Sequence, residues 1–293
     1  MLLRILRKVS YFFRNSLYAR EVISSMYSSV NNSNNINIDQ NGEFFFIKII
    51  NSLSTLESLV IDCGFNHGEY SSRLMDTRNW LPTTKELGFQ GNLIAIDPLQ
   101  SNLDHGFNKL SKASQRRTTL IRTAVSDREG TTEFFSNLDP DKSGLDSIKD
   151  LSSIGSSNLT KRVEVPCTTV DTILKRYLAS LAPERSVDLI HLKIDVEGAE
   201  FAVLLGTMEY LNQMDPGIHV VQFEFGHAAR AFNVYFHSIY ELLIKANFSV
   251  FILKQKELQS ILNPFFIEND YSYGNFVAIK NSRLAMFSTY IRS

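Results

Sequence analysis

Two short stretches bring together residue types that can do chemistry in one place. Leu192-Lys193-Ile194-Asp195-Val196-Glu197-Gly198-Ala199-Glu200 sets three acids and a lysine at the exit of an apolar run. Lys193 and Asp195 are two apart, so on a strand they share a face, and burying such charges without partners is costly. Glu197 and Glu200 also suit the first turn of a following helix, where each negative charge gains about 0.3–1 kcal/mol. The second stretch, Leu59-Val60-Ile61-Asp62-Cys63-Gly64-Phe65-Asn66-His67-Gly68-Glu69-Tyr70, ends an apolar run in an acid and spaces two glycines four apart before a helix start. Such a turn admits close backbone approach and points a helix N-terminus at whatever is bound. Asp97 follows the apolar run Leu93–Ile96, Glu224 follows Val220–Phe223, and His227 lies three residues further on. Acids at strand exits belong to open α/β sheets, which bind ligands outside the carboxyl ends of their strands.

The elements that must carry these residues alternate. A helix is expected over Glu43–Leu56, a strand over Leu59–Ile61 and a helix from Glu69. Strand Leu93–Ile96, helix Asn102–Ser111 and a third strand, Thr119–Val125, follow. Gly130 turns the chain into Thr131–Phe135, an added antiparallel strand, and Val163–Thr168 alternates as an edge strand does. The intervening 136–160, rich in Ser, Asp, Gly and Asn, reads as a functional or disordered loop. After a helix over Thr169–Leu178 come the central strand Leu189–Ile194 and helical spacing of Phe201, Leu204, Leu205, Met208 and Leu211. Strand Val220–Phe223, a helix with Phe236, Ile239, Tyr240 and Leu243 on one face, strand Phe248–Leu253, a long loop and strand Phe276–Ile279 complete the chain. Strands alternating with helices predict a mostly parallel sheet covered on both faces. With no helix before it, the last strand is expected to run antiparallel.

The residues at the first turn discriminate between cofactors. The nicotinamide fingerprint wants glycines where Asp62 and Asn66 stand, and a carboxylate beside a pyrophosphate is repulsive. An aminoacyl nucleoside carries no phosphate and brings an ammonium that Asp62 can attract. Asp97 can accept from both ribose hydroxyls. These residues suit S-adenosylmethionine better than NAD. Asp195 and Glu224, ending adjacent strands, bring two carboxylates to one side of such a cofactor, where either can serve as a general base. His227 is the base suited to neutral pH. The same two acids with a substrate diol form a candidate Mg²⁺ site. His191 shares the face of Lys193 and Asp195 but sits deeper, where a buried, hydrogen-bonded role is expected, and His67 lies in the cofactor turn.

The chain has 293 residues, 44% apolar and 21% charged, with a formal net charge of −1, which gives no basic field for nucleic acid. Its two cysteines, Cys63 and Cys167, form no C-x-x-C, so a cytoplasmic protein without a disulfide framework is expected. No apolar stretch reaches the roughly 20 residues needed to cross a bilayer. Residues 1–20 carry Arg4, Arg7, Lys8, Arg14 and Arg20 and no acid, interleaved with Leu, Ile, Val and Phe. This is a basic amphipathic segment suited to packing on the domain or to peripheral contact with an anionic inner membrane surface. A polar linker at 28–35 separates it from the main domain, giving an extension over 1–40 and a domain over 41–293.

The ordered motifs resemble those of the FkbM-type methyltransferases, a branch of the class I S-adenosylmethionine-dependent methyltransferases. Val60–Gly68 is similar to the family's V-I-D-V-G-A-N-x-G, Ile96-Asp97-Pro98 to its E-P, and Ala124-Val125-Ser126-Asp127 with Gly130 to its A-[LV]-S-x-x-x-G. Cys167–Asp171 resembles T-[LV]-D, and Lys193–Glu200 is similar to K-I-D-V-E-G-x-E almost letter for letter. Two positions depart: Phe65 replaces a small residue at the turn, and Asp97 a glutamate. The resemblance implies a Rossmann-like fold, with a seven-stranded, mostly parallel sheet, an antiparallel last strand and helices on both faces. It implies a cofactor site of Asp62, Gly64, Asn66, Gly68, Asp97, Val125, Ser126 and Asp195. The activity it implies is O-methylation of a small-molecule, glycan or lipid-linked hydroxyl, the acceptor being roofed by 136–160 and 255–274. A nucleic-acid methyltransferase or an inactive cofactor-fold binding protein are the alternatives.

Overall fold

The computed structural model describes residues 35–77, 88–136, 146–151, 161–261 and 273–292, with isolated positions between 16 and 26 and between 263 and 267. Most of the basic segment 1–20, nearly all of the linker 28–35, and much of the two roofing loops lie outside the described residues.

The first half of the domain runs α1 (Glu43–Leu53), β1 (Leu59–Cys63), α2 (Glu69–Met75), β2 (Asn92–Asp97), α3 (Gln100–Lys109), the one-turn α4 (Lys112–Gln115) and β3 (Thr118–Arg122). Three short-range strands follow: β4 (Ala124–Val125), β5 (Gly130–Ser136) and β6 (Lys161–Thr168). The second half runs α5 (Val170–Ser180), β7 (Ile190–Ile194), α6 (Glu200–Leu205), α7 (Met208–Asn212), β8 (Val220–Phe225), α8 (Phe236–Lys245), β9 (Phe248–Leu253), β10 (Leu258–Ser260), β11 (Gly274–Lys280) and β12 (Ile291–Arg292).

The main sheet is ordered β12-β10-β9-β11-β8-β7-β1-β2-β3. Strands β3, β2, β1, β7 and β8 pair in parallel, and β11 is inserted antiparallel between β8 and β9. This is the expected class I methyltransferase sheet of seven strands, with its antiparallel last strand. The short β10, inside the expected 255–274 loop, and β12, beyond the last expected strand, extend it to nine at the β9 edge. Thr119–Val125 is two strands rather than one. After Thr123 the chain leaves the main sheet, and β4 joins a separate three-stranded sheet ordered β4-β6-β5. The alternating Val163–Thr168 is therefore the middle strand of that small sheet and not an edge.

Alternation along each strand sorts side chains onto two cores. Leu59, Ile61, Cys63, Ile190, Leu192, Ile194, Val221 and Phe223 pack on one face beneath α5, α6, α7 and α8. Val60, Leu93, Ala95 and Val220 face the other side, under α1, α2 and α3. Helix α5 is started by Thr169, whose hydroxyl accepts from the Thr172 N–H at 3.1 Å. Both cysteines are buried free thiols. Among the described residues no helix is long and apolar enough to cross a membrane.

Candidate functional site

The exits of β1, β2, β7 and β8 converge on a cavity of about 650 Å³. The turn after β1 folds over the end of β2: the N–H groups of Gly64 and Phe65 both donate to the Ile96 carbonyl, at 3.0 and 2.9 Å. Asn66, at φ 46°, then donates its N–H to Asp97 Oδ2 at 2.9 Å. Asp97 Oδ1 accepts from the Leu99 N–H at 2.9 Å and from Asn102 Nδ2 at 3.2 Å. Burial raises its carboxyl to about 6, against the opposing pull of these hydrogen bonds. Gly64, at φ 87°, is required by the neighbouring strand: a Cβ there would overlap the Asp195 carbonyl oxygen. Asp195 in turn extends the ladder, its N–H donating to the Cys63 carbonyl at 2.9 Å.

Asp195, Glu197 and Glu224 meet on the wall of this cavity, each offering a carboxylate oxygen within 4.8 Å of the others. Burial, then the neighbouring Asp195, hold both Glu197 and Glu224 well above the ordinary carboxylate range. Glu200 does something else. Its Oε1 accepts from the N–H groups of Val196 and Gly198 at 3.2 and 3.1 Å, which closes the turn that aims Glu197. His227 begins a 3₁₀ turn after β8 and stands exposed at the cavity's edge. Apolar lining comes from Ile96, Val125, Phe134, Ile148 and Leu151. From the described part of the 136–160 loop, residues 146–151, Asp146, Ile148 and Leu151 line the cavity, and Ser147 anchors the loop by donating to the Glu197 carbonyl at 2.8 Å.

Of the residues singled out from the sequence, Gly64, Asn66, Asp97, Val125, Asp195, Glu224 and His227 line this cavity. Asp62, Gly68 and Ser126 do not. Asp62 lines an adjoining polar cavity of about 400 Å³ that shares Gly64, Asn66, Asp195 and Tyr273 with the first. Gly68 begins α2, where a Cβ would come within 2.7 Å of Gly106 on α3. Ser126 is buried, its N–H donating to the Thr168 carbonyl at 3.0 Å. The Phe65 ring is buried in the core and occupies the space that Gly106 leaves open. His191 is buried as expected but not hydrogen-bonded: among the described residues neither ring nitrogen has a partner, and its ring stands edge-on to Phe46 and Tyr70. Burial, then Lys193, push it down to about 3, so it stays neutral. His67 stacks on His105 with ring centroids 4.5 Å apart. Tyr273 and Glu43 carry no local sequence signal, because only the strand order brings them here.

The Methyltransferase FkbM domain model matches residues 62–250, more than half of the chain. The chain belongs to the FkbM methyltransferase family. No curated protein matches it. Among solved structures, the FkbM methyltransferase of Methylobacillus flagellatus KT is similar at 12% identity and TM-score 0.42, over 76% of this chain and 44% of that one. This FkbM-family chain thus spans less than half the length of that relative. A TehB-like methyltransferase of Corynebacterium glutamicum is similar at 11% identity and TM-score 0.37, covering 91% of this chain and 100% of its own. The fibrillarin of Aeropyrum pernix, solved with natively bound S-adenosyl-L-methionine, has 9% identity and TM-score 0.38, covering 81% and 76%.

Proposed function

We propose that this FkbM-family protein transfers the methyl group of S-adenosylmethionine to a hydroxyl oxygen of a sugar, glycolipid, polysaccharide or secondary metabolite. The observation that carries this reading is the single cavity bounded by the Gly64–Asn66 turn, Asp97 and the Asp195–Glu197–Glu224 group. The residues present fit the cofactor. Asp97 Oδ2, with one hydrogen bond from Asn66, keeps a lone pair for a ribose hydroxyl. Val125, Phe134, Ile148 and Leu151 offer an apolar slot for the base, and the adjoining polar cavity takes the amino-acid end. The bound cofactor supplies an electrophilic methyl on a positively charged sulfur.

The chain's own contribution is placement and proton removal. An acceptor hydroxyl held against the methyl must surrender its proton as the new C–O bond forms. Glu224, raised by burial and by Asp195, is a stronger base than a free carboxylate, and His227 at the cavity's edge is the second base within the site. Asp195, Glu197 and Glu224 would also hold a hard cation such as Mg²⁺, which would lower the pKa of an acceptor hydroxyl bound to it. Among the described residues the cavity lining includes five carboxylates and no lysine or arginine, which supports an acceptor without phosphate and argues against nucleic acid. Residues 1–20 would carry any peripheral contact of this cytoplasmic enzyme with an anionic membrane.

Calorimetric titration with S-adenosylhomocysteine, with NADH in parallel, tests the cofactor; binding of NADH alone, or of neither at millimolar levels, overturns the reading. Transfer of labelled methyl from S-adenosylmethionine to neutral glycans, with and without a chelator, tests the acceptor class and the cation.

A further inference from the structure

The two cavities meet, and the residues at their junction are those that face the sulfur of the proposed cofactor. Sulfur joins the nucleoside of S-adenosylmethionine to its amino-acid end. With the ribose at Asp97 and the amino acid in the polar cavity, it lies where one cavity opens into the other. Five residues line both: Ile36, Gly64, Asn66, Asp195 and Tyr273. Gly64 and Asn66 belong to the turn after β1, Ile36 is apolar, and Asp195 Oδ2 accepts from Lys193 Nζ at 2.9 Å. Of the five, only Tyr273 brings a hydroxyl.

Strand register explains how Tyr273 reaches this point. Asp62 on β1 stands opposite Lys193 on β7, and Lys193 stands opposite Gln222 on β8. Gln222 Nε2 donates to Glu43 Oε1 at 3.0 Å, so this face of the sheet looks toward α1. Asp195 and Glu224, each two residues further along its strand, continue the same face. Because β11 runs antiparallel to β8, its start abuts the exit of β8, and Asn275 stands directly opposite Glu224. Tyr273, two residues before Asn275, shares that face. Asn275 is buried, and its Nδ2 donates to the Tyr273 hydroxyl oxygen at 3.3 Å, which fixes that oxygen in place. Gly226, just past β8, lets the chain pass this close, since a Cβ there would come within 3.1 Å of Tyr273 Cα. Burial, then the acids Glu224, Glu43 and Asp195, hold the hydroxyl above the ordinary tyrosine range, so it stays neutral.

We infer that the Tyr273 oxygen reads the methyl group on the cofactor's positively charged sulfur, and so distinguishes S-adenosylmethionine from S-adenosylhomocysteine. The inference rests on the proposed cofactor. A sulfonium withdraws electron density from its methyl, whose hydrogens become weak donors to an oxygen. Transfer breaks the S–C bond and leaves its electron pair on sulfur. The product is a neutral thioether without that methyl, and it offers Tyr273 nothing to accept. Tyr273 therefore favours the methyl donor over the spent cofactor.

The test is calorimetric titration of the full chain with S-adenosylmethionine, S-adenosylhomocysteine and sinefungin, which has an ammonium-bearing carbon in place of the methyl-bearing sulfur. Tyr273→Phe keeps the ring and removes only the oxygen. It should weaken S-adenosylmethionine about 2- to 5-fold and sinefungin about 10-fold or more, leaving S-adenosylhomocysteine within about 1.5-fold. A merely structural role would weaken all three alike, and that result, like three unchanged affinities, overturns the inference. Should Tyr273→Phe fail to fold, Asn275→Ala, which removes the donor that fixes the oxygen, decides by the same ratios. A wild-type chain that binds all three, with ratios that neither variant changes, overturns this inference alone. One that binds none of them overturns the cofactor reading and this inference with it.

Discussion

Asp97→Asn separates ligand binding from folding, because burial acts on the two in opposite directions. The Asp97 carboxyl is raised by burial from 3.8 to about 6, and its oxygens accept from Asn66, Leu99 and Asn102. The folded chain therefore holds this proton more tightly than the unfolded chain does. The stability contributed by that proton is fully present below 3.8 and is lost as pH rises through about 6. At about 1.4 kcal/mol per pKa unit the loss amounts to about 3 kcal/mol. On the proposed cofactor reading a ribose hydroxyl, by contrast, donates to the ionised carboxylate, so affinity should rise over the same window. The Kd for S-adenosylhomocysteine should fall about tenfold per pH unit up to about pH 6 and level off above it. Asparagine carries no charge at any pH, so both slopes should vanish in the variant. In mildly alkaline buffer the variant should bind about 10- to 100-fold more weakly, from loss of hydrogen bonds to a charged acceptor worth about 1.5–3 kcal/mol. Its folding should survive, because relief of the buried charge offsets the amide turned toward one of the three donors. Calorimetric titration across pH, with urea unfolding of the same samples, reads both quantities. A variant that binds like wild type, or keeps the tenfold slope, refutes Asp97 as the ribose acceptor.

Gly64→Ala should cost about 3 kcal/mol or more in urea unfolding, since its φ of 87° disfavours a side chain and its Cβ would overlap the Asp195 carbonyl; an unchanged midpoint would contradict the close approach of β1 and β7. Gly106→Ala should cost about 1–3 kcal/mol through collision with the Phe65 ring, and combining it with Phe65→Leu should recover more than about 0.5 kcal/mol relative to additivity in a double-mutant cycle. His191→Phe should be neutral or stabilising by about 1 kcal/mol, because two buried ring nitrogens without partners are replaced by carbon. The folded value of His191 is lowered from 6.5 to about 3, so the stability present above 6.5 declines as pH falls through that window in wild type and should not in the variant. Acid-unfolding midpoints check this, and a variant that unfolds at higher pH than wild type would sink it.

Much of the candidate site's placement was legible in the chain because the signals are local. An apolar run ending in an acid reads as a strand exit, and Asp97, Asp195 and Glu224 do face one cavity. The twin glycines at 64 and 68 mark a turn with positive φ, though both are required by packing against neighbouring backbone. The two-residue period identifies which residues share a face within one strand, and the position of Lys193 beside Asp195 followed from it. What that period leaves open is which strands are neighbours. Gln222 interrupts an apolar run without visible reason until β8 is paired to β7, and the row Asp62–Lys193–Gln222 exists only in the register. The departure of Val125 into a second sheet, the insertion of β11 that brings Tyr273 beside the site, and the docking of Glu43 were likewise decided by tertiary packing. Local patterning determines which side chains a strand hides, whereas lateral pairing depends on which apolar faces fit together, and no single strand carries that information.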